Sequence, residues 1–184
     1  PAGRGCRRRG SPPCPHRAAS WLGGRGGRWG AGVARTGVAR AARIAGLPGD
    51  EASVAAAVAR HPARFVGFFM FNPMQGDIRG RLSRALGEQR FRGICLFPAM
   101  HGYRLDEERV REVFAAAAKT GAVVFVHCGV LSVGVRKKLG LPSPFDLRVG
   151  DPLALAATAR RFPTVPVSVP HLGAGLFRER LRRP

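Results

Sequence analysis

Apolar residues along this chain gather into five short runs, each closed by a turn-forming or polar residue. The first, Ala41–Leu47, is weak, diluted by Arg43 and closed by Pro48-Gly49. The second is Phe65–Phe71, reading FVGFFMF and closed by Asn72-Pro73. The third is Gly93–Phe97, closed by Pro98. The fourth, Ala122–Val126, ends at His127, and the fifth, Val165–Val169, ends at His171. Short, nearly continuous apolar runs predict strands covered on both faces. Between them the spacing turns helical. Asp50 is expected to cap a helix through EASVAAAVAR that ends before Pro62. Ile78, Leu82, Ala85 and Leu86 repeat at helical intervals within 77–89. The stretch Asp106–Lys119 begins with acids and ends with lysine, as the helix dipole favours. Asp151 with Pro152 opens a helix through Arg161, and another begins over Leu176–Leu181.

Strands alternating with crossover helices predict an α/β fold with a parallel sheet. An open doubly wound sheet and a (β/α)8 TIM barrel share that pattern. The polar residues favour the barrel, whose functional groups lie where strands end. Here the strand ends are Asn72, the segment Pro98–His101, His127 and His171. A complete barrel takes roughly 250 residues. The 184 residues of this chain therefore predict a partial (β/α)8 barrel of four to five parallel strands.

Composition divides the chain. Residues 1–36 are Arg, Gly, Pro and Ala with almost no apolar period. Such a segment cannot offset its ordering entropy, so it is expected to be disordered or non-native, leaving 37–184 as the barrel domain. The net charge is +20, yet residues 1–49 hold ten arginines and no acid. Charge alone attracts nucleic acid without specificity. No aromatic platform or Cys/His finger spacing accompanies it, so no specific nucleic-acid partner is expected. A non-catalytic α/β domain with a basic, RNA-contacting tail is the alternative reading. The four cysteines form no CxxC, and Cys95 and Cys128 fall in apolar runs. Buried free thiols and a cytoplasmic location follow. No apolar run reaches the roughly 18 residues of a membrane span, so no membrane partner is expected.

Two strand ends carry an imidazole directly after an apolar run. A neutral imidazole held rigidly is a good ligand for a divalent metal such as zinc, or a proton carrier near neutral pH. A single strand-end histidine is more often a polar residue that merely closes the strand; two at equivalent points of adjacent units strengthen the functional reading. His101, within PAMHGY, lies one turn past a strand end and can face the same pocket. Arg136, Lys137 and Lys138 follow His127 in a long connection, where they either hold a substrate carboxylate or are simply solvated. His61, before Pro62, reads as a surface cap.

Three strings, HPARFVGFFMFNP, FRGICLFPAMHGYRLDEERVREVFAAAAKTGAVVFVHCG and RFPTVPVSVPHLGAG, resemble the amidohydrolase-related family over about residues 37–182. That family includes the aminocarboxymuconate-semialdehyde decarboxylase-like enzymes. The resemblance is most specific at the RGI segment and at the strands ending in His-Cys-Gly and His-Leu-Gly. It implies a metal-dependent hydrolase, or a related carbon–carbon lyase or decarboxylase. The enzyme would act on a small organic substrate, carboxylated in the decarboxylase branch, through metal-activated water. Zinc is the expected divalent metal. His127 matches a family metal ligand, and His171 matches a second ligand or the acid/base group. The family's first-strand His-x-His pair and last-strand Asp have no counterpart in this sequence. A bridging lysine is not supported either, because the strand that would carry it ends in Phe97-Pro98. Metal sites of this class need at least three protein ligands. The chain by itself is therefore expected to bind zinc weakly and to be inactive. A homo-oligomer of the full-length protein is compatible with the resemblance.

Overall fold

Successive side chains of a strand point to opposite faces, so burial along each run shows which face meets the helices. The computed structural model describes residues 38–46, 50–128 and 146–170. The chain divides into two units, Pro1–Ala39 and Arg40–Pro184, and the fold below is that of the second. Its strands are β1 (Ala41–Ala45), β2 (Phe65–Met70), β3 (Gly93–Leu96), β4 (Val123–Val126) and β5 (Val167–Ser168). All neighbouring pairs are parallel, in the order β1-β2-β3-β4-β5. The helices are α1 (Glu51–Arg60), α2 (Ile78–Ser83, continuing into a π-helical segment Arg84–Glu88), α3 (Pro98–His101), α4 (Glu108–Thr120) and α5 (Pro152–Arg161). A doubly wound sheet reverses its strand order at a switch point. These strands advance one way only, as in a barrel. The fold is thus part of a (β/α)8 barrel, and the doubly wound alternative is set aside. Residues 1–36 and the helix expected at Leu176–Leu181 lie outside the described residues.

The helices cover one side of the sheet. Ala45, Phe69, Ile94, Leu96, Val124 and Val126 share a buried core with residues of the helices, among them Leu82, Val110, Phe114, Ala117 and Leu155. β3 is buried at every position. β2 is not: Phe65, Gly67 and Phe69 are buried while Val66, Phe68 and Met70 are only partly so. The expectation of full cover on both faces therefore holds for β3 and fails for β2. One glycine is explained by the pairing. Gly93 lies opposite Phe68, and a Cβ at Gly93 would collide with the Phe68 ring. The glycine of the RGI string is the residue that lets this ring lie across the sheet.

Local chemistry departs from expectation at three points. Asp50 stands at the start of α1 but makes no side-chain cap bond. Its backbone is helical, with φ −73° and ψ −17°, which turns the carboxylate away from the orphan amides. The Ser53 hydroxyl instead donates to the Asp50 carbonyl at 2.9 Å. Asp106 does not start α4. Its carboxylate takes both arms of the Arg104 guanidinium at 2.9 Å, and the helix begins at Glu108. β5 is shorter than Val165–Val169 because Pro166 has no amide proton to give a ladder. Asp151 behaves as expected and accepts the Leu153 amide at 2.8 Å with Pro152 in the first turn. Among the described residues no helix is long and apolar enough to cross a membrane.

Candidate active-site mouth at the ends of β3 and β4

Parallel strands end together, so residues that follow β2, β3 and β4 share one rim of the sheet. Asn72 follows β2, but its side chain is spent on its own turn, accepting the Met74 amide at 2.9 Å. Phe97 follows β3, and His127 follows β4. The His127 amide donates to the Leu96 carbonyl at 2.8 Å, carrying the ladder one residue past the strand and fixing the backbone under the imidazole. The residue is 8% exposed. Its ring stacks on Phe97, with centroids 5.3 Å apart and planes 18° from parallel.

Beyond Phe97 the chain makes one helical turn, α3, with Pro98 in its first position and Gly102 ending it at φ +67°. Only glycine adopts that left-handed cap without strain. The turn brings His101 back towards the strand end. Its ring meets Phe97 edge-on at 6.4 Å and stacks on Tyr103 at 6.2 Å and 23°. Four rings thus form a ladder, His127–Phe97–His101–Tyr103, running from the rim into the core. The Asp146 amide ties α3 from outside by donating to the Ala99 carbonyl at 3.1 Å.

Burial sets the charge states. It lowers the pKa of His101 below the ordinary imidazole value, favouring the neutral ring. Burial also pushes the Tyr103 phenol far above its usual range, and the nearby Phe97 amide only partly opposes this. The Tyr103 hydroxyl and the His101 Nδ1 both remain without a hydrogen-bond partner. Cys95 and Cys128 are buried free thiols, as expected. Burial raises Cys95 to about 12, and burial together with Asp151 raises Cys128 to about 11. Neither offers a thiolate near neutral pH. A groove of about 600 Å³ among Ile78, Leu82, Leu86, Ala115 and Ala116 lies on the helix layer, away from this rim.

The structure brings His127 and His101 to one ring ladder. His171 stands three residues past β5 and lies outside the described residues, as do Arg136, Lys137 and Lys138. Among the described residues no three His, Cys, Asp or Glu side chains converge as a metal site. The donor type of His127 suits a divalent ion, while the number of donors in the described part falls short. His61 is the C-cap residue of α1, as expected, and is half-buried with its ring edge-on to Phe65 at 5.9 Å. Sequence reasoning missed Tyr103. It is the one tyrosine of the chain, and nothing in its spacing marks it.

A family model described as Amidohydrolase matches residues 29–183. The chain belongs to the amidohydrolase family. Solved structures share the barrel fold at low identity. An uncharacterised TIM-barrel protein of Bordetella bronchiseptica superposes with a TM-score of 0.60 at 16% identity, covering 81% of this chain and 52% of that one. A 5-carboxyvanillate decarboxylase of Novosphingobium aromaticivorans, solved with manganese, gives 0.52 at 22% identity, over 72% of this chain and 41% of that one. A 4-oxalomesaconate hydratase of Rhodopseudomonas palustris gives 0.52 at 16% identity, over 72% and 39%. This amidohydrolase chain therefore spans from about two-fifths to about half of the length of these neighbours. No curated protein matches it at a significant level.

Proposed function

We propose that this domain serves a metal-dependent hydrolase or decarboxylase acting on a small organic substrate. The observation that supports it is the placement of His127. It is a nearly buried imidazole at the carboxyl end of a barrel strand, in a chain of the amidohydrolase family, held by Leu96 below and Phe97 beside it. In this reading His127 and His171 are two ligands of a divalent ion. Manganese in the decarboxylase neighbour favours a divalent metal over any particular element. Such an ion supplies activated water at neutral pH. The chain's own residues orient and exclude. Phe97 fixes the plane of His127 and keeps water from one face of it. His101, half-buried and neutral, offers a hydrogen bond without a competing charge. His171 moves a proton or completes the ligand pair. Arg136 and Lys137 hold a substrate carboxylate. Two ligands hold a metal weakly, so the chain by itself binds zinc or manganese poorly and turns over no substrate.

Titration calorimetry of the chain with manganese and with zinc tests this. Weak binding that His127→Ala abolishes is expected. A tight stoichiometric complex would overturn the inactivity of the isolated chain. Unchanged binding in His127→Ala would overturn the ligand role.

A further inference from the structure

Thr158 of α5 is 2% exposed, more deeply buried than His127. A hydroxyl at that depth needs a partner. Threonines inside helices often return it to a carbonyl one turn back. Thr120 of α4 does so, donating to the Ala116 carbonyl at 2.9 Å. Thr158 instead donates out of its helix, to the Leu105 carbonyl at 2.8 Å, 53 residues earlier. Valine would fill nearly the same space, and alanine or leucine would suit the helix better. Neither packing nor propensity accounts for the oxygen.

Leu105 closes the segment that carries the ring ladder, and that segment is tied at three places. At its start, the Leu96 carbonyl of β3 accepts the His127 amide at 2.8 Å. In its middle, the Ala99 carbonyl accepts the Asp146 amide at 3.1 Å. At its end it is held by Thr158, and of the three ties this is the one made by a side chain. Between the ties the segment is packed as one piece. The Gly102 amide donates to the Pro98 carbonyl at 2.8 Å, and Tyr103 and Leu105 are at most 1% exposed. Tyr103 stacks on His101, and His101 meets Phe97 edge-on. A shift of Leu105 therefore reaches Phe97 through close-packed contacts. Phe97 is the ring on which His127 stacks. The tie also joins the two units that meet at the rim, because α5 is the helix after the strand of His127 and Leu105 follows the strand of Phe97.

We propose that Thr158 is a positioning residue for His127: by holding the Leu105 carbonyl it keeps the Phe97 ring stacked on the imidazole. This rests on the reading of His127 as a metal ligand and adds to it a side chain that sets the ligand's orientation. Ligands depend on such support behind them, and its loss commonly lowers metal affinity by about 10–100-fold.

The test compares Thr158→Val, which keeps the volume and loses the donor, with Thr158→Ser, which keeps the donor and loses a methyl. Both are expected to lower Tm, so stability does not separate them. The deciding readout is the carbon-bound ring proton signals of His127 in the metal-free chain, which the stacked Phe97 ring displaces by its ring current. Thr158→Val is expected to move these signals towards their positions in Phe97→Leu. Thr158→Ser is expected to leave them in place. Manganese affinity, by calorimetry on the same proteins, is expected to fall about tenfold in Thr158→Val and to return with serine. Unmoved His127 signals in Thr158→Val would make the bond structural only and overturn the proposal. Equal displacement by valine and serine would overturn it too. If Thr158→Val does not fold, the unaltered chain decides. On warming below Tm, the Leu105 carbonyl-carbon signal, which reports its hydrogen bond, is expected to shift in step with the His127 signals, and independent shifts would refute the coupling. The ring signals are read without metal. A His127 that binds no manganese would therefore sink the ligand reading alone, and the valine–serine comparison would still decide the positioning role.

Discussion

Two groups of rings in this domain obey different rules. Beneath the helices, Phe69 meets Phe71 edge-on at 5.9 Å and Phe91 at 5.3 Å, and none of the three is more than 3% exposed. These rings carry no polar atom, and their arrangement satisfies everything they bring. At the rim, Phe97, His127, His101 and Tyr103 form a ladder of similar spacing. Three of those four bring nitrogen or oxygen, and two of their atoms go unpaired. Ring spacing is similar in the two groups, but the core pairs meet edge-on or tilted while two of the three rim pairs stack. They differ also in polar satisfaction: the first group brings no polar atom to satisfy, and the second carries two buried ones without a hydrogen-bond partner.

The comparison can be broken by truncation. Phe71→Ala should cost about 3–5 kcal/mol, because a fully buried ring leaves a cavity that its neighbours cannot close. Urea denaturation measures it. Phe97→Ala, in a partly buried ring, should cost less than half as much, and an equal cost would make the rim part of the core. Gly93→Ala should cost about 1–3 kcal/mol through overpacking against Phe68. Adding Phe68→Leu should restore part of that loss, and strict additivity of the two changes would show that the ring is not the cause.

A pH series sharpens the rim side. The folded state holds the pKa of His101 below its unfolded value of 6.5. Below that pH the unfolded chain takes up a proton that the folded chain resists, so stability falls as pH drops through this range. His101→Phe should flatten this part of the Tm profile between pH 7 and 5, while Phe71 variants keep its slope. The smallest effect is expected on the outer surface. Arg79→Ala breaks a bridge to Glu112 whose side chains are 87% and 31% exposed, and should cost less than about 1 kcal/mol. A larger loss by thermal melting would show that this bridge fastens α2 to α4.

Much of the architecture was legible because it is local. Phe65–Phe71 and Gly93–Phe97 announce strands through unbroken apolar runs, and Asp151-Pro152 announces a helix start. The misreadings are also local contests. Asp106 prefers the forked guanidinium of Arg104 to a helix start, and Asp50 loses its cap to backbone angles that no spacing reveals. α3 was hidden because a four-residue helical turn has no periodicity.

What the amino-acid order determined by itself is the succession of strands and helices, the family resemblance, and His127 at the end of an apolar run. Each depends on residues close together in the chain or on strings read whole. Only the tertiary structure decided the one-way strand order, the ring of Phe68 over Gly93, and the ladder that leads from His127 to Tyr103. Those depend on which backbone lies beside which: Phe68 pairs with Gly93, 25 residues on, and Leu96 with Val126, 30 residues on, and neither pairing leaves a mark in local pattern.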